Sequence, residues 1–585
     1  SPMRTLLLAG SILALAVPAH ADANGDLVTL VNDVWAASLK EQPVYASALG
    51  VNEHASELGD YTLAAQDRRA ADAAKFLARL NAIPSDSLNA ASKVEAGILR
   101  RALNSTIEGN SFGQRAINFT TYSSWHQQLA GMAQNLPFRT KADFESYNAR
   151  LAQYARVNDE NIAVANVAIK GKYTQPCVTL KGFEGTISGL ITTDVNRSRF
   201  YEPYATKRPA GVSEADFASL AKAAETTIRT VIHPALNTQL AWYTASYKPA
   251  CATAPGVSAQ PGGAKYYAFR VREETTTSLT AEQIHQIGLN EVARIRAEMV
   301  EVATKAGYPS REAFIQHLRT DPQYYAKTPE ELMEKVARVT KIIDGKMPSL
   351  FGRLPRLPYG IKEIPAETAE GTTTAYYNQG SPEIGISGTY FVNTSKLSQR
   401  PFWEIPALSV HEGVPGHHHQ IALQQELPLS DFRKYGAFFT AFTEGWGLYS
   451  ERLGIEMGLY DTPAKDMGRL SYEMWRACRL VVDTGIHAKG WSKQQAIDFM
   501  TDNSALSAAN IEAEVNRYIS WPGQALAYKL GELKIRELRT MATKELGPKF
   551  NLAAFHDAVL GQGSVPLDVL EQQIKDWVAA EKAKG

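Results

Sequence analysis

The sequence predicts a mainly α-helical protein with one small β-sheet, and three observations carry that expectation. Residues 26–167 repeat apolar side chains at three-and-four spacing through stretches rich in Ala, Leu, Glu, Arg and Lys; Glu95-Ala96-Gly97-Ile98-Leu99-Arg100-Arg101-Ala102-Leu103 is one instance. The period becomes strand-like in a sustained way only between 355 and 394. Strands and helices never alternate, which excludes a doubly wound or barrel fold.

Taken in order, Ser1-Pro2 ahead of Met3 reads as an expression scar. Arg4, an apolar run over 5–17 and Ala19-His20-Ala21 then read as a secretory signal peptide cut after Ala21. No cysteine stands beside that site to signal a lipoprotein. No later run reaches about 18 apolar residues, so no stable membrane insertion is expected after cleavage. The expected compartment is the periplasm, or the medium after secretion.

Residues 22–263 read as an N-terminal helical lobe and 264–585 as a C-terminal lobe. Within the first, 170–208 is punctuated by Gly and Pro, 215–247 is helical, and 248–263, with Pro249, Pro255 and Pro261, is the connection. Within the second, 266–270 is strand-like, 280–305 is a helix capped near Thr280, and 329–346 is another. Tyr376-Tyr377 and Thr389-Tyr390-Phe391-Val392-Asn393 form a strand pair around Gly380-Ser381-Pro382, and helices dominate from 401 onward.

The 585 residues comprise 44% apolar and 21% charged side chains, with 61 basic against 61 acidic. With no net charge and no like-charge run, nothing favours nucleic acid or an anionic membrane as partner. Cys177 and Cys251 sit in turn-rich surroundings and are expected to bridge in an exported protein, whereas Cys478 reads as a small buried hydrophobe.

The chemistry concentrates in His411-Glu412-Gly413-Val414-Pro415-Gly416-His417-His418-His419 and in Thr443-Glu444-Gly445-Trp446-Gly447-Leu448-Tyr449. Two imidazoles, a carboxylate beside the first and a second carboxylate from another segment are what a zinc hydrolase needs: three ligands and a general base. On an ideal helix His411 and His417 stand roughly 120° apart, while His418 is only about 20° from His411. Pro415 and Gly416 break that ideal, because proline cannot bond the carbonyl of His411 and glycine leaves the helix readily. A break over 413–416 brings His417 into the second ligand position, with His418 the second choice. The competing reading is a surface histidine cluster with a solvated Glu412. The apolar approach over 405–410 argues against it, and so does Glu444, a lone charge among aromatic residues that burial makes costly unless it is paired or metal-bound. Glu451, two turns beyond, shares its face and can support a ligating histidine.

At these residues the chain resembles the DUF885 family of bacterial proteins, grouped with the gluzincin metallopeptidases. Segments 279–299, 388–394, 476–487 and 522–531 are also similar to that family. The resemblance implies a mostly helical, cleft-containing, two-lobed gluzincin-like fold with the sheet beside the motif helix, Zn2+ as cofactor, and peptidase-like hydrolysis. The family usually has an apolar residue where this chain has His419, which makes that histidine the least suited of the three to bind metal.

Further candidates follow from helical spacing. Asp483 and His487 are four apart, so the carboxylate can orient an imidazole that hydrogen-bonds the tetrahedral intermediate or, alternatively, ties helices together. Tyr518 and Tyr528 are candidates for an oxyanion donor. Arg479, Arg517 and Lys529 offer cations to a substrate carboxylate, and Asn393 lies on a strand able to receive an extended peptide. The expected function is a zinc peptidase acting on small peptides, with His411, His417 and Glu444 on the metal and Glu412 as base. The alternatives are a catalytically silent helical binding protein and a zinc amidase or esterase with a non-peptide substrate.

Overall fold

A computed structural model describes residues 19–585. The signal-peptide expectation therefore falls outside the described residues, apart from positions 19–21 at the start of the first helix. The architecture is mainly α with one three-stranded sheet. Helices α1 (Ala19–Glu41), α2 (Leu63–Asn81) and α3 (Ala90–Asn110) open the chain, and the short α4 (Trp125–Gly131) follows. Glu214 to Tyr247 is one continuous helical run interrupted by two π turns. Cys177 and Cys251 are disulfide-bonded, and Cys478 is free and buried.

The cores show how these pieces combine. Leu27, Leu30 and Leu99 share one core with Val410, Trp446, Tyr449 and Phe555, so the opening helices pack on C-terminal elements. A separate aromatic-rich core, including Phe119, Phe144, Tyr154, Phe183, Phe200 and Tyr243, organises the rest of the N-terminal half. Large apolar side chains buried on several helices at once supply the main stabilisation.

Residues 266–270 are helical: they lie inside α5 (Gly263–Thr275), which corrects the strand-like reading. Tyr267 faces His487 on one side while Phe269 packs on Phe112 on the other, so burial on two sides imitates the alternation of a strand. Helix α6 (Ala281–Lys305) begins with a reciprocal cap: Thr280 Oγ1 accepts from the Gln283 N–H at 3.2 Å, and Gln283 Oε1 accepts from the Thr280 N–H at 3.0 Å. The helix Pro329–Asp344 matches its expected span closely.

The sheet has β1 (Tyr359–Glu363), β2 (Ala375–Asn378) and β3 (Gly388–Val392), with β3 central, parallel to β1 and antiparallel to β2. It contains one strand more than the expected pair. It lies beside α7 (Ile405–Glu412), where the Tyr390 hydroxyl meets Ser409 Oγ at 3.3 Å. After α7 come α8 (His417–Glu426), α9 (Thr440–Leu453), α10 (Pro463–Lys489), α11 (Ala508–Ser520) and α12 (Ala527–Leu546). Helices α9 and α12 cross in backbone contact, because a Cβ on Gly445 would stand 2.5 Å from the Gly531 Cα. Among the described residues no helix is long and apolar enough to cross a membrane.

Candidate functional site

Helix α7 ends at Glu412 because the next four residues leave the helical path: Gly413 has φ −90° and ψ −120°, and α8 starts only at His417. The turn is tight. The Gly416 N–H donates to the Val410 carbonyl at 2.9 Å, and a Cβ on Gly416 would collide with the carbonyl oxygens of Val410 and His411. The Trp446 indole N–H donates to the Pro415 carbonyl at 2.7 Å, fastening the break to α9. These contacts turn His417 back toward His411, and the two rings lie 4.6 Å apart, edge to face.

Glu444 on α9 stands between them. His411 Nε2 is 3.3 Å from its Oε2 and His417 Nε2 is 3.1 Å from its Oε1. One ligand atom from each of the three residues lies within 4.8 Å of the other two. The His411 ring lies directly against Gly447, where a Cβ would be 2.6 Å from Cε1. From behind, His411 Nδ1 bonds Glu451 Oε2 at 2.7 Å, and Arg476 Nη1 donates to Glu451 Oε1 at 3.1 Å. The flanking glycines, costly in a helix, are thus required by close packing.

Glu412 is buried with Oε1 3.8 Å from His411 Nε2, and its Oε2 has no hydrogen-bond partner. Burial raises its pKa, opposed by His411 and His417. For Glu444 burial also acts upward, but His417 and His411 overcome it and hold the carboxyl well below its usual range. Burial on its own lowers the pKa of His411, yet the hydrogen bonds to Glu444 and Glu451 outweigh it and bring it up to about 10. Three carboxylates, Glu412, Glu444 and Glu451, face one guanidinium, Arg476, around the two imidazoles. With both rings neutral the cluster is formally doubly negative, the charge that one divalent cation cancels. Two imidazole nitrogens and one carboxylate oxygen are a zinc donor set, and the carboxyl behind His411 is the outer partner that orients a ligating imidazole. The residues present fit the ion.

Several expected site residues lie elsewhere. His418 turns away: its Nδ1 meets the Tyr377 hydroxyl at 2.8 Å, its Nε2 donates to the Leu357 carbonyl at 2.7 Å, and burial lowers its pKa to about 4. Both nitrogens are committed, so the second-choice ligand is outside the cluster. His487 is likewise committed, with Nδ1 accepting from the Val257 N–H at 3.0 Å and Nε2 donating to the Tyr518 carbonyl at 2.8 Å. Asp483 does not orient it; Asp483 accepts from the Tyr267 hydroxyl at 2.6 Å and the Gly523 N–H at 3.2 Å. The Tyr518 hydroxyl is enclosed by Trp475, Arg479 and Glu514. Lys529 is fully buried among Glu473, Glu532 and Glu291. Asn393 spends its amide on the carbonyls of Ala369, Thr372 and Thr373, bracing a cleft wall instead of meeting a peptide. These corrections share one cause: spacing along a helix says which side chains share a face, not which partners other helices place against them.

Tyr528 does reach the site. Its ring stacks 6.1 Å from that of His411, and its hydroxyl accepts from Arg517 Nη2 at 2.7 Å. Glu412, His417, Glu444, Tyr528 and Arg517 line a cleft of about 710 Å³, together with Tyr122, Gln127, Gln128, Asn135 and Arg199 from the N-terminal half. Sequence reasoning missed Arg476 as the partner of Glu451 and the contribution of Tyr122. An arginine in the largely apolar stretch after Trp475 signals a buried carboxylate partner; Tyr122 carries no such signal.

The family described as "Bacterial protein of unknown function (DUF885)" matches residues 43–574. A candidate lipoprotein from Colwellia psychrerythraea superimposes with a TM-score of 0.87 at 27% identity, covering 96% of this chain and 100% of its own. A candidate lipoprotein of unknown function from Shewanella oneidensis gives a TM-score of 0.68 at 19% identity over 94% and 99% of the two chains, a likeness of fold alone. No curated protein matches. The chain belongs to the DUF885 family.

Proposed function

We propose that this DUF885 member is a zinc-dependent hydrolase of small peptides, built on a gluzincin-type ligand arrangement and acting outside the cytoplasm. The observation that carries the reading is the convergence of His411 Nε2, His417 Nε2 and a Glu444 oxygen beside a buried Glu412 oxygen with no partner. The Cys177–Cys251 disulfide supports an oxidising compartment, as does likeness to the candidate lipoprotein from Colwellia psychrerythraea.

His411, His417 and Glu444 would hold the ion, which when bound supplies Lewis acidity toward a carbonyl oxygen and toward water. Glu412 Oε2 takes a proton from the attacking water as the water oxygen bonds to the scissile carbon. The same carboxyl then gives that proton to the leaving nitrogen as the C–N bond breaks, so charge and protons balance. Tyr528 accepts from Arg517, which leaves its own hydroxyl proton free to donate to the developing oxyanion. Glu451 and Arg476 keep the His411 ring in place throughout.

The test combines metal analysis with Glu412→Gln. The reading expects about one zinc per chain in both proteins and hydrolysis of short peptides by the wild type, reduced at least about 100-fold in the variant. A metal-free protein that hydrolyses no peptide supports the silent binding protein instead, and equal hydrolysis by the two proteins removes Glu412 as the base. Cleavage of amides or esters but of no peptide supports the third alternative.

A further inference from the structure

Outside the metal cluster the charges of the cleft do not balance. Arg199, from the N-terminal half, lines the cleft and is paired with Glu367 at 2.9 Å. Elsewhere in the cleft two guanidinium groups share one carboxylate: Arg479 Nη2 lies 2.6 Å from Glu514 Oε1, and Arg517 Nη1 lies 3.4 Å from the same oxygen. Arg479 is fully buried behind the wall, with its guanidinium 4.0 Å over the Tyr528 ring, and cannot carry its charge into water. The group therefore keeps one uncompensated positive charge, presented to the cleft by Arg517.

Arg517 also has donors to spare. Nη2 donates to Gln524 Oε1 at 2.8 Å and to the Tyr528 hydroxyl at 2.7 Å, and Nη1 reaches Glu514, so two of its five N–H groups remain uncommitted. Tyr122, from the N-terminal half, is buried with its hydroxyl against this guanidinium. A guanidinium with donors to spare and a hydroxyl beside it in one cleft suit an anion.

Position identifies which anion. The Tyr528 ring lies 6.1 Å from the His411 ring and 5.7 Å from the Arg517 Cζ, so guanidinium and imidazole are at most about 12 Å apart. Allowing roughly 4 Å for a guanidinium–carboxylate pair, the rest accommodates no more than about two extended residues at about 3.5 Å each. We propose that Arg517, with Tyr122 and backed by Arg479, is the subsite that binds the free C-terminal carboxylate of the substrate, so that peptides are cleaved one or two residues from that end. The proposal rests on the peptidase reading, which it narrows from small peptides in general to peptides with a free carboxyl end.

Calorimetric binding of Nα-acetyl-Ala-Ala as the free acid and as its amide separates the two, because it does not depend on turnover. It is measured on zinc-loaded protein and again after chelation. The acid is expected to bind about ten- to hundred-fold more tightly in both states. Arg517→Met abolishes the difference, and Arg517→Lys, which keeps charge but loses the fork, retains only part of it. Equal binding of acid and amide overturns the proposal, as does a preference that survives Arg517→Met or vanishes with the metal. Should Arg517→Met not fold, a full preference in Arg517→Lys overturns it too. A protein that prefers the acid but hydrolyses no peptide keeps the subsite and loses the peptidase reading; one that cleaves acid and amide alike does the reverse.

Discussion

Replacing Gly447 by alanine puts the geometry of the cluster under direct strain. The added methyl would stand 2.6 Å from His411 Cε1, 2.9 Å from Nε2 and 3.0 Å from Nδ1. Carbon contacts are comfortable at about 3.5–4.0 Å, so the ring must retreat by roughly 1 Å. It is tethered by Glu451 at 2.7 Å, and a site of this kind tolerates only about 0.5 Å of error. Zinc affinity is therefore expected to fall at least about tenfold, the range found when a partner that orients a ligand is lost. Gly445→Ala is the control. Its methyl would meet the Gly531 backbone at 2.5 Å and force α9 from α12, an overpacking cost of about 1–3 kcal/mol without contact to the ring. Chelator-competition titration and thermal unfolding of both variants resolve the two effects. Gly447→Ala should lose metal and keep most of its stability, and Gly445→Ala should do the opposite. Wild-type zinc affinity in folded Gly447→Ala would refute the claim that His411 is a ligand held against α9.

Two further outcomes follow from the same geometry. His417→Ala should abolish stoichiometric zinc, while His418→Ala should keep it and instead lose about 1–3 kcal/mol of stability through its unpaired Tyr377 and Leu357 partners; zinc analysis with melting curves checks both, and metal loss in His418→Ala contradicts the assignment. Asp483 gives a pH signature. Burial raises its pKa from the ordinary 3.8 to about 7, so the folded state binds the extra proton between those values. Stability is then lost as pH rises through that window, by at most about 1.4 kcal/mol per unit. Asp483→Asn cannot titrate there, so the wild type should lose ground to it from pH 4 to 7 in unfolding experiments. Parallel profiles would show that the carboxyl is already ionised in the fold.

Much of the fold was legible because helices bury one face and repeat apolar residues accordingly; α6 and Pro329–Asp344 show this plainly. Helix α5 was misread because Tyr267 and Phe269 are buried on different sides. Strand β1 escaped notice since Tyr359-Gly360-Ile361-Lys362-Glu363 pairs on one edge only and exposes most of its side chains. Within the site, the choice between His417 and His418 turned on local backbone chemistry: an unbroken helix favours His418, and the break at Pro415 and Gly416 brings in His417. Glu451 was readable from its two-turn spacing to Glu444. The fates of His487, Lys529 and Tyr518 were not, because the groups that engage them, such as the Val257 N–H and Glu291, arrive from segments far along the chain.

The most direct measurement is anomalous scattering at the zinc edge from crystals of the protein. A single strong peak about 2.0–2.2 Å from His411 Nε2, His417 Nε2 and a Glu444 oxygen is the expected result. Absence of a peak there after zinc loading, or a peak at His418, would contradict the assignment on which the proposed chemistry depends.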